Sequence, residues 1–204
     1  MSKGGRIGCI IGVVLVVFIL IVVLSLMGTY NKLVTLEEGV NVSWSQVQNV
    51  YQRRYDLIPN LVETVKGYAE HERETFQAVT EARSRVGGVM QLNAEDLTAE
   101  NLQRFQEAQA GLAGALQRLL VLRENYPELK ANQNFLRLQD ELAGTENRIA
   151  VERRRFNQAV QTFNTTIRRF PQNIIAGIFG FSKRPYFEAD DTAQEAPKVE
   201  FEQF

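Results

Sequence analysis

Two stretches of the chain place charged side chains where apolar ones are due. VYQRRYDLIPNLVETVKGYAEHE (50–72) carries Arg53, Arg54, Asp56 and Glu72 along a run of apolar residues at helical spacing. GTENRIAVERRRFN (144–157) does the same with Glu146, Arg148 and Glu152, beside Thr145. Arg54, Glu72, Thr145 and Glu152 fall on the apolar seams themselves. A charge buried without a partner costs several kcal/mol, so opposite charges on two seams are expected to find one another. Cross-helix pairing among Arg53, Arg54, Asp56, Glu72, Glu146 and Glu152 is the first expectation, with register-setting as its consequence. The alternative is a binding site in which Arg53, Arg54 and Arg148 take an anionic or peptidic ligand.

Catalysis finds less support. The chain has one histidine, His71, and one cysteine, Cys9. A metalloprotease helix needs a second histidine after His71-Glu72, and a di-iron bundle needs Glu-x-x-His on two helices. Tyr68 stands where that glutamate would be. No catalytic, metal or cofactor residues are therefore expected, and no enzyme activity. Basic (23) and acidic (24) residues nearly balance, which gives no electrostatic reason to expect nucleic acid as a partner.

The elements that hold these residues are helical. Leu33, Leu36, Val40, Val47, Tyr51, Ile58, Leu61, Val65, Tyr68, Phe76, Val79 and Val86 form one stripe by steps of three and four, stopped by Gly87-Gly88. Pro59 lies inside it without shifting the register. This predicts a kinked long helix, or two abutting helices with Pro59 in the first turn of the second. Thr98 is placed to cap a second helix with Phe105, Leu112, Leu116, Leu119 and Leu122 on its apolar side. A third helix is expected from Glu128 to Arg169, with Phe135, Leu138, Leu142, Ile149, Phe156, Val160, Phe163, Ile167 and Phe170 on its seam and Pro171 closing it. The fold class is all-α: an antiparallel bundle of three long helices, the first kinked or split near Pro59 and so four-helix-bundle-like.

In front of the bundle, residues 7–27 (IGCIIGVVLVVFILIVVLSLM) carry no charge. As a helix this run is roughly 30 Å long, enough to cross a bilayer core, and it exceeds the h-region of a signal peptide. Lys3 and Arg6 precede it, and only Lys32 follows closely, so the N-terminus is expected inside and the bundle outside. Gly4, Gly8 and Gly12 share one face, the spacing that lets membrane helices approach closely. Behind the bundle, NIIAGIFGF (173–181) must bury itself. Ile174, Ile175, Ile178, Phe179 and Phe181 are candidate oligomer contacts, joined by Val199 and Phe201 in a short terminal stretch with strand-like alternation.

Three blocks then carry a likeness: YNKLVTLEEGVNVSWSQVQNVYQRRYDLIPNLVETVKGYAEHE, ELAGTENRIAVERRRFNQAVQTFN and FPQNIIAGIFGFSKRPYF. In this order, behind a leading apolar helix, they resemble the bacterial LemA family. The resemblance covers nearly all of the chain after the anchor. It implies a long-helix bundle behind one membrane span and names no reaction. The family usually has tyrosine where this chain has Phe156 and Phe163, so two phenolic hydroxyls are missing here.

The resulting organisation is a short basic N-terminus (1–6), a transmembrane helix (7–27), the bundle (31–170) and an apolar segment with its tail (171–204). The expected function is that of a single-pass structural or interaction protein of the bacterial inner membrane. Its expected partners are the lipid bilayer through residues 7–27, further copies of itself and other envelope proteins.

Overall fold

A computed structural model describes residues 3–69 and 71–188, with side chains from residue 11 onward. Val199 and Phe201, with their expected strand, lie outside the described residues. α1 spans Lys3–Lys66, 64 residues without interruption. Its first part is long and apolar enough to cross a membrane. From Ile11 to Met27 its large apolar side chains are exposed, so nothing in the fold covers them. From Leu33 onward the same helix becomes amphipathic and buries Leu33, Val40, Trp44, Val47, Tyr51, Ile58, Leu61 and Val65. α1 runs through Pro59.

The reversal that makes four helices from three stripes comes later, at residues 67–72. There the helical bonding ends in short turns, Tyr68 N–H to Val65 C=O and Glu72 N–H to Ala69 C=O, both 3.0 Å. The apolar stripe crosses this turn in phase, which is why it reads as one helix. α2 (Arg73–Val89) then descends alongside α1. It passes through Gly87 and Gly88 rather than stopping there. At Gly87 a Cβ would stand 3.4 Å from the Tyr55 hydroxyl, an ordinary contact distance.

α3 (Ala99–Val121) climbs again, its Thr98 cap accepting from the Asn101 N–H at 3.2 Å. Pro127 opens a helix as expected, but α4 (Pro127–Lys130) lasts one turn, pinned by the buried Leu129. The long helix, α5 (Gln133–Arg168), starts five residues beyond Glu128, where Asn132 caps the Phe135 N–H at 3.0 Å. The order is up-down-up-down. Trp44 meets Phe156, Arg54 meets Glu146 and the Tyr68 hydroxyl meets Asn132, so α1 and α5 run antiparallel in a constant register.

The core has two parts. One gathers Trp44, Tyr51, Phe105, Phe156 and Phe187 toward the span, with neighbouring ring centroids 5.0–6.1 Å apart, and Phe163 beside Phe181 at 6.4 Å. The other gathers Leu61, Val65, Val79, Leu112, Leu119, Phe135 and Leu142 at the far end. After Pro171, α6 (Gln172–Phe179) docks by Ile175 and Ala176 against the first part. It ends at Gly180, whose φ of 78° is left-handed and whose following N–H, that of Phe181, bonds back to the Ala176 C=O.

The uninterrupted passage of α1 through an exposed Pro59 has a measurable consequence. Proline leaves one backbone carbonyl without its helical partner and crowds the turn before it, a penalty of ~3 kcal/mol in a regular helix. Pro59→Ala is expected to stabilise the bundle by about 1–3 kcal/mol, read as an upward shift of the Trp44 fluorescence melt in detergent. A lower melting point would mean that the helix needs the proline's geometry.

Candidate functional site

The two apolar cores are separated by a polar layer. Arg54 on α1 is 3% exposed. Its guanidinium donates to Glu146 Oε1 on α5 at 2.8 Å, to the Gln109 side-chain oxygen on α3, and more loosely to the Gln109 backbone carbonyl at 3.4 Å. Gln109 is itself buried, and its amide reaches Met90 Sδ at 3.8 Å, just beyond the end of α2. Thr145, buried at the same level, returns its hydroxyl to the Glu141 C=O of its own helix at 2.8 Å. The Tyr51 ring lies 5.1 Å from the guanidinium carbon. One long cation on α1 thus bonds to two further helices, and its partner Gln109 reaches the link that follows α2.

This layer forms the floor of a groove between α3 and α5. The groove measures ≈ 640 Å³ and is lined by Tyr51, Arg54, Gln106, Gln109, Glu146 and Arg153 among others. Small residues on α3 (Ala110, Ala113, Gly114) leave it open. Glu146 keeps 44% of its side chain exposed, so the pair with Arg54 is dry at one end and wet at the other. Arg54 Nε is buried with no hydrogen-bond partner.

The remaining charged residues singled out in the sequence go elsewhere. Arg53 pairs with Glu141 at 2.8 Å on the surface. Asp56 accepts from Gln52 at 2.7 Å within α1. Glu72 lies at the α1–α2 turn, accepting from the Tyr126 hydroxyl at 3.2 Å. Partial burial, and then that hydrogen bond and the carboxylate charge, raise the Tyr126 phenol above its ordinary value. Glu152 pairs with Arg155 on its own helix at 2.7 Å, and Arg148 is exposed away from the groove. Only Arg54 and Glu146 of that set meet. A seam residue at a helix end reaches the turn, and one beside a basic run takes a local partner.

A second polar arrangement holds the tail. Asn164 donates to the Arg184 C=O (2.8 Å) and accepts from the Arg184 N–H (2.9 Å). Asn157 does the same with Phe187, both at 2.9 Å. Seven helical residues rise about 10.5 Å and three extended residues about 10 Å, so the two amides match two sites on an extended chain. Arg184 adds bonds to Glu37 (2.8 Å) and the Ala94 C=O (3.1 Å), and Phe187 packs on Trp44 and Phe156. Arg153 lies 4.9 Å from the Phe187 ring and donates to the Glu188 C=O at 2.8 Å.

Of the expected oligomer contacts, Ile175 is buried in its own bundle and Phe181 is half-buried, 5.9 Å from the Tyr30 ring. Ile174, Ile178 and Phe179 are exposed at 50%, 70% and 58%. Gly12 has open space around it. Gly4 and Gly8 lie where only the backbone is described.

The family model for the LemA family matches residues 43–201. The chain belongs to the LemA family. Magnetosome protein MamQ 2 of Paramagnetospirillum magneticum is 27% identical to it over 92% of this chain and 76% of its own length. MamQ of Magnetospirillum gryphiswaldense is 27% identical over 86% and 71%. Protein LemA of Metamycoplasma hominis is 24% identical over 80% and 71%. With these relatives, the apolar N-terminal helix fits a single-pass membrane protein. In this LemA-family chain Phe156 and Phe163 are both fully buried among aromatic and aliphatic side chains.

Sequence reasoning missed Gln109, although its signal was of the same kind as that of Arg54. It is a polar residue on the α3 stripe, four after Phe105 and three before Leu112. Asn157 and Asn164 each follow a seam phenylalanine, a weaker sign.

The layer has an asymmetry that mutation reveals. Arg54→Ala strands Gln109 and opens a void between the cores, and should destabilise by about 3–5 kcal/mol. Glu146→Gln keeps an acceptor at a half-exposed position and should cost about 1 kcal/mol or less. Denaturant unfolding of the two variants checks this, and equal losses would mean that Arg54 is solvated.

Proposed function

We propose that this protein is a single-pass scaffold of the bacterial inner membrane that assembles with copies of itself and organises other envelope proteins. The observation that carries the reading is the continuity of α1. One helix is both the apolar run and the first rod of the bundle, so the body is coupled to the bilayer without a flexible joint. From Gly28 to Lys66 it extends roughly 60 Å by helix rise. A stiff mount of this kind suits holding partners at a fixed height above the bilayer. The MamQ relatives are magnetosome proteins, and a structural role at a membrane is in keeping with that likeness. Self-assembly is assigned to the span, with Gly4, Gly8 and Gly12 on its contact face. The bundle lies outside, by the Lys3 and Arg6 bias. The Arg54–Gln109–Glu146 layer holds the register of the rods.

A second reading, an anionic or peptidic ligand in the groove, rests on the unpartnered Arg54 Nε and on Arg153 at the rim. It is the weaker one, because Arg54 already has acceptors on two helices and Arg53 and Arg148 lie outside the groove.

Crosslinking in native membranes, with size measurement in mild detergent, tests the scaffold. The expected result is discrete homo-oligomers that Gly12→Leu weakens. A strict monomer, uncrosslinked in membranes, would overturn it.

A further inference from the structure

The body of the protein has an apolar end, and that end lies beside the end of the uncharged run. By the α1–α5 register, in which Trp44 meets Phe156 and Arg54 meets Glu146, the last turn of α5 lies level with residue 32, a few positions beyond the uncharged run. α6 follows at that level. The Phe179 ring is 4.7 Å from the Tyr30 ring, three residues beyond Met27. Only Ile175 and Ala176 of α6 are buried in the fold. Phe170 (80% exposed), Ile174 and Ile178 are turned away from it, and Phe179 stays 58% exposed beside Tyr30.

Among the described residues, the charged side chains that flank α6 in the chain are basic. Between Glu152 and Glu188 the chain contains no acidic residue, although its net charge is −1. Arg168, Arg169 and Lys183 flank α6 and are exposed, as is Lys32 on α1 beside it. Among the described residues, the nearby Glu37 is committed to Arg184.

We propose that α6 is a second membrane contact. Its apolar face beds in the interfacial layer of the same bilayer that α1 crosses, and Arg168, Arg169, Lys183 and Lys32 form a collar against anionic headgroups. Interfacial helices bind by this combination of a buried apolar face and attraction to anionic lipid. A lipid surface is favoured over a second copy because the face adjoins the end of the span, where bilayer is already present in the single chain. Contact at two points fixes the tilt and rotation of the rods, which a lone span leaves free. The inference rests on the single-pass reading of α1.

The test uses full-length Cys9→Ser protein carrying Ile178→Cys labelled with an environment-sensitive fluorophore, in vesicles of phosphatidylglycerol and phosphatidylcholine. Arg137→Cys, exposed near the far end, is the control. Spin-labelled lipid is expected to quench the Ile178 label at least threefold more than the control, at any protein-to-lipid ratio. Phosphatidylcholine alone, or Arg168→Gln/Arg169→Gln/Lys183→Gln, is expected to reduce that quenching severalfold. A label open to aqueous iodide and untouched by spin-labelled lipid overturns the proposal. Protection that fades on dilution in lipid overturns it in favour of a second copy. Quenching indifferent to headgroup charge overturns the collar. Carbonate extraction reads the span separately: protein that washes off refutes the anchor, whereas protein that stays with an iodide-accessible label refutes only the α6 contact.

Discussion

A guanidinium that is almost entirely out of water has to be met by acceptors, and in this bundle they come from different helices. Arg54 can be satisfied only when α3 and α5 stand at one height relative to α1, because Gln109 and Glu146 are each a single position on their helix. Apolar seams have no such demand. Two stripes of leucine, valine and phenylalanine can slide by a turn and still bury similar area, since burial is non-directional. The polar layer adds direction where the cores on either side supply attraction. Its net contribution to stability is small, because desolvating the ions offsets most of their attraction, and its proposed effect is to raise the free energy of shifted packings.

The rest of the architecture depends on the same register. With α5 at the height that brings Glu146 to Arg54, Phe156 reaches Trp44, and Asn157 and Asn164 present their amides to the extended tail. α6 then arrives beside Tyr30, at the end of the span. Displacing α5 by one turn would move each of these by about 5.4 Å. The continuity of α1 extends the constraint toward the bilayer, because the helix that carries Arg54 is the one long and apolar enough to cross it. On the proposed function, a scaffold exploits this: what is fixed at the polar layer is fixed relative to the membrane.

Much of this was legible in the residues. The uncharged run, the helical stripes, the Thr98 cap and the anomaly of Arg54 all follow from local chemistry. The four-helix character was legible too, but the place of the reversal was not. The stripe from Val65 to Val79 stays in phase across the turn at residues 67–72, whereas Pro59, which looked like the break, stands on the exposed side of α1 where the ring meets little. The polar partners were harder still. Glu72 and Arg54 are equivalent as seam anomalies, and only the three-dimensional position of Tyr126 sends Glu72 to a turn. The docking of the tail by Asn157 and Asn164 joins residues far apart in sequence, and periodicity does not report such pairs.

The register role of the polar layer can be tested directly with an apolar replacement. Arg54→Met/Gln109→Leu removes the cation and its buried acceptor while roughly keeping volume, and spin labels at the exposed Glu63 and Arg154 positions, about 25 Å apart along the bundle axis by helix rise, in a Cys9→Ser background report the offset of α1 against α5. The native layer should give one narrow distance distribution. The apolar variant should melt no lower, yet give a broad or split distribution with components displaced by about one helical turn, 5.4 Å. A variant that keeps the single narrow native distance would contradict the account, and register would then have to come from the shapes of the apolar side chains alone.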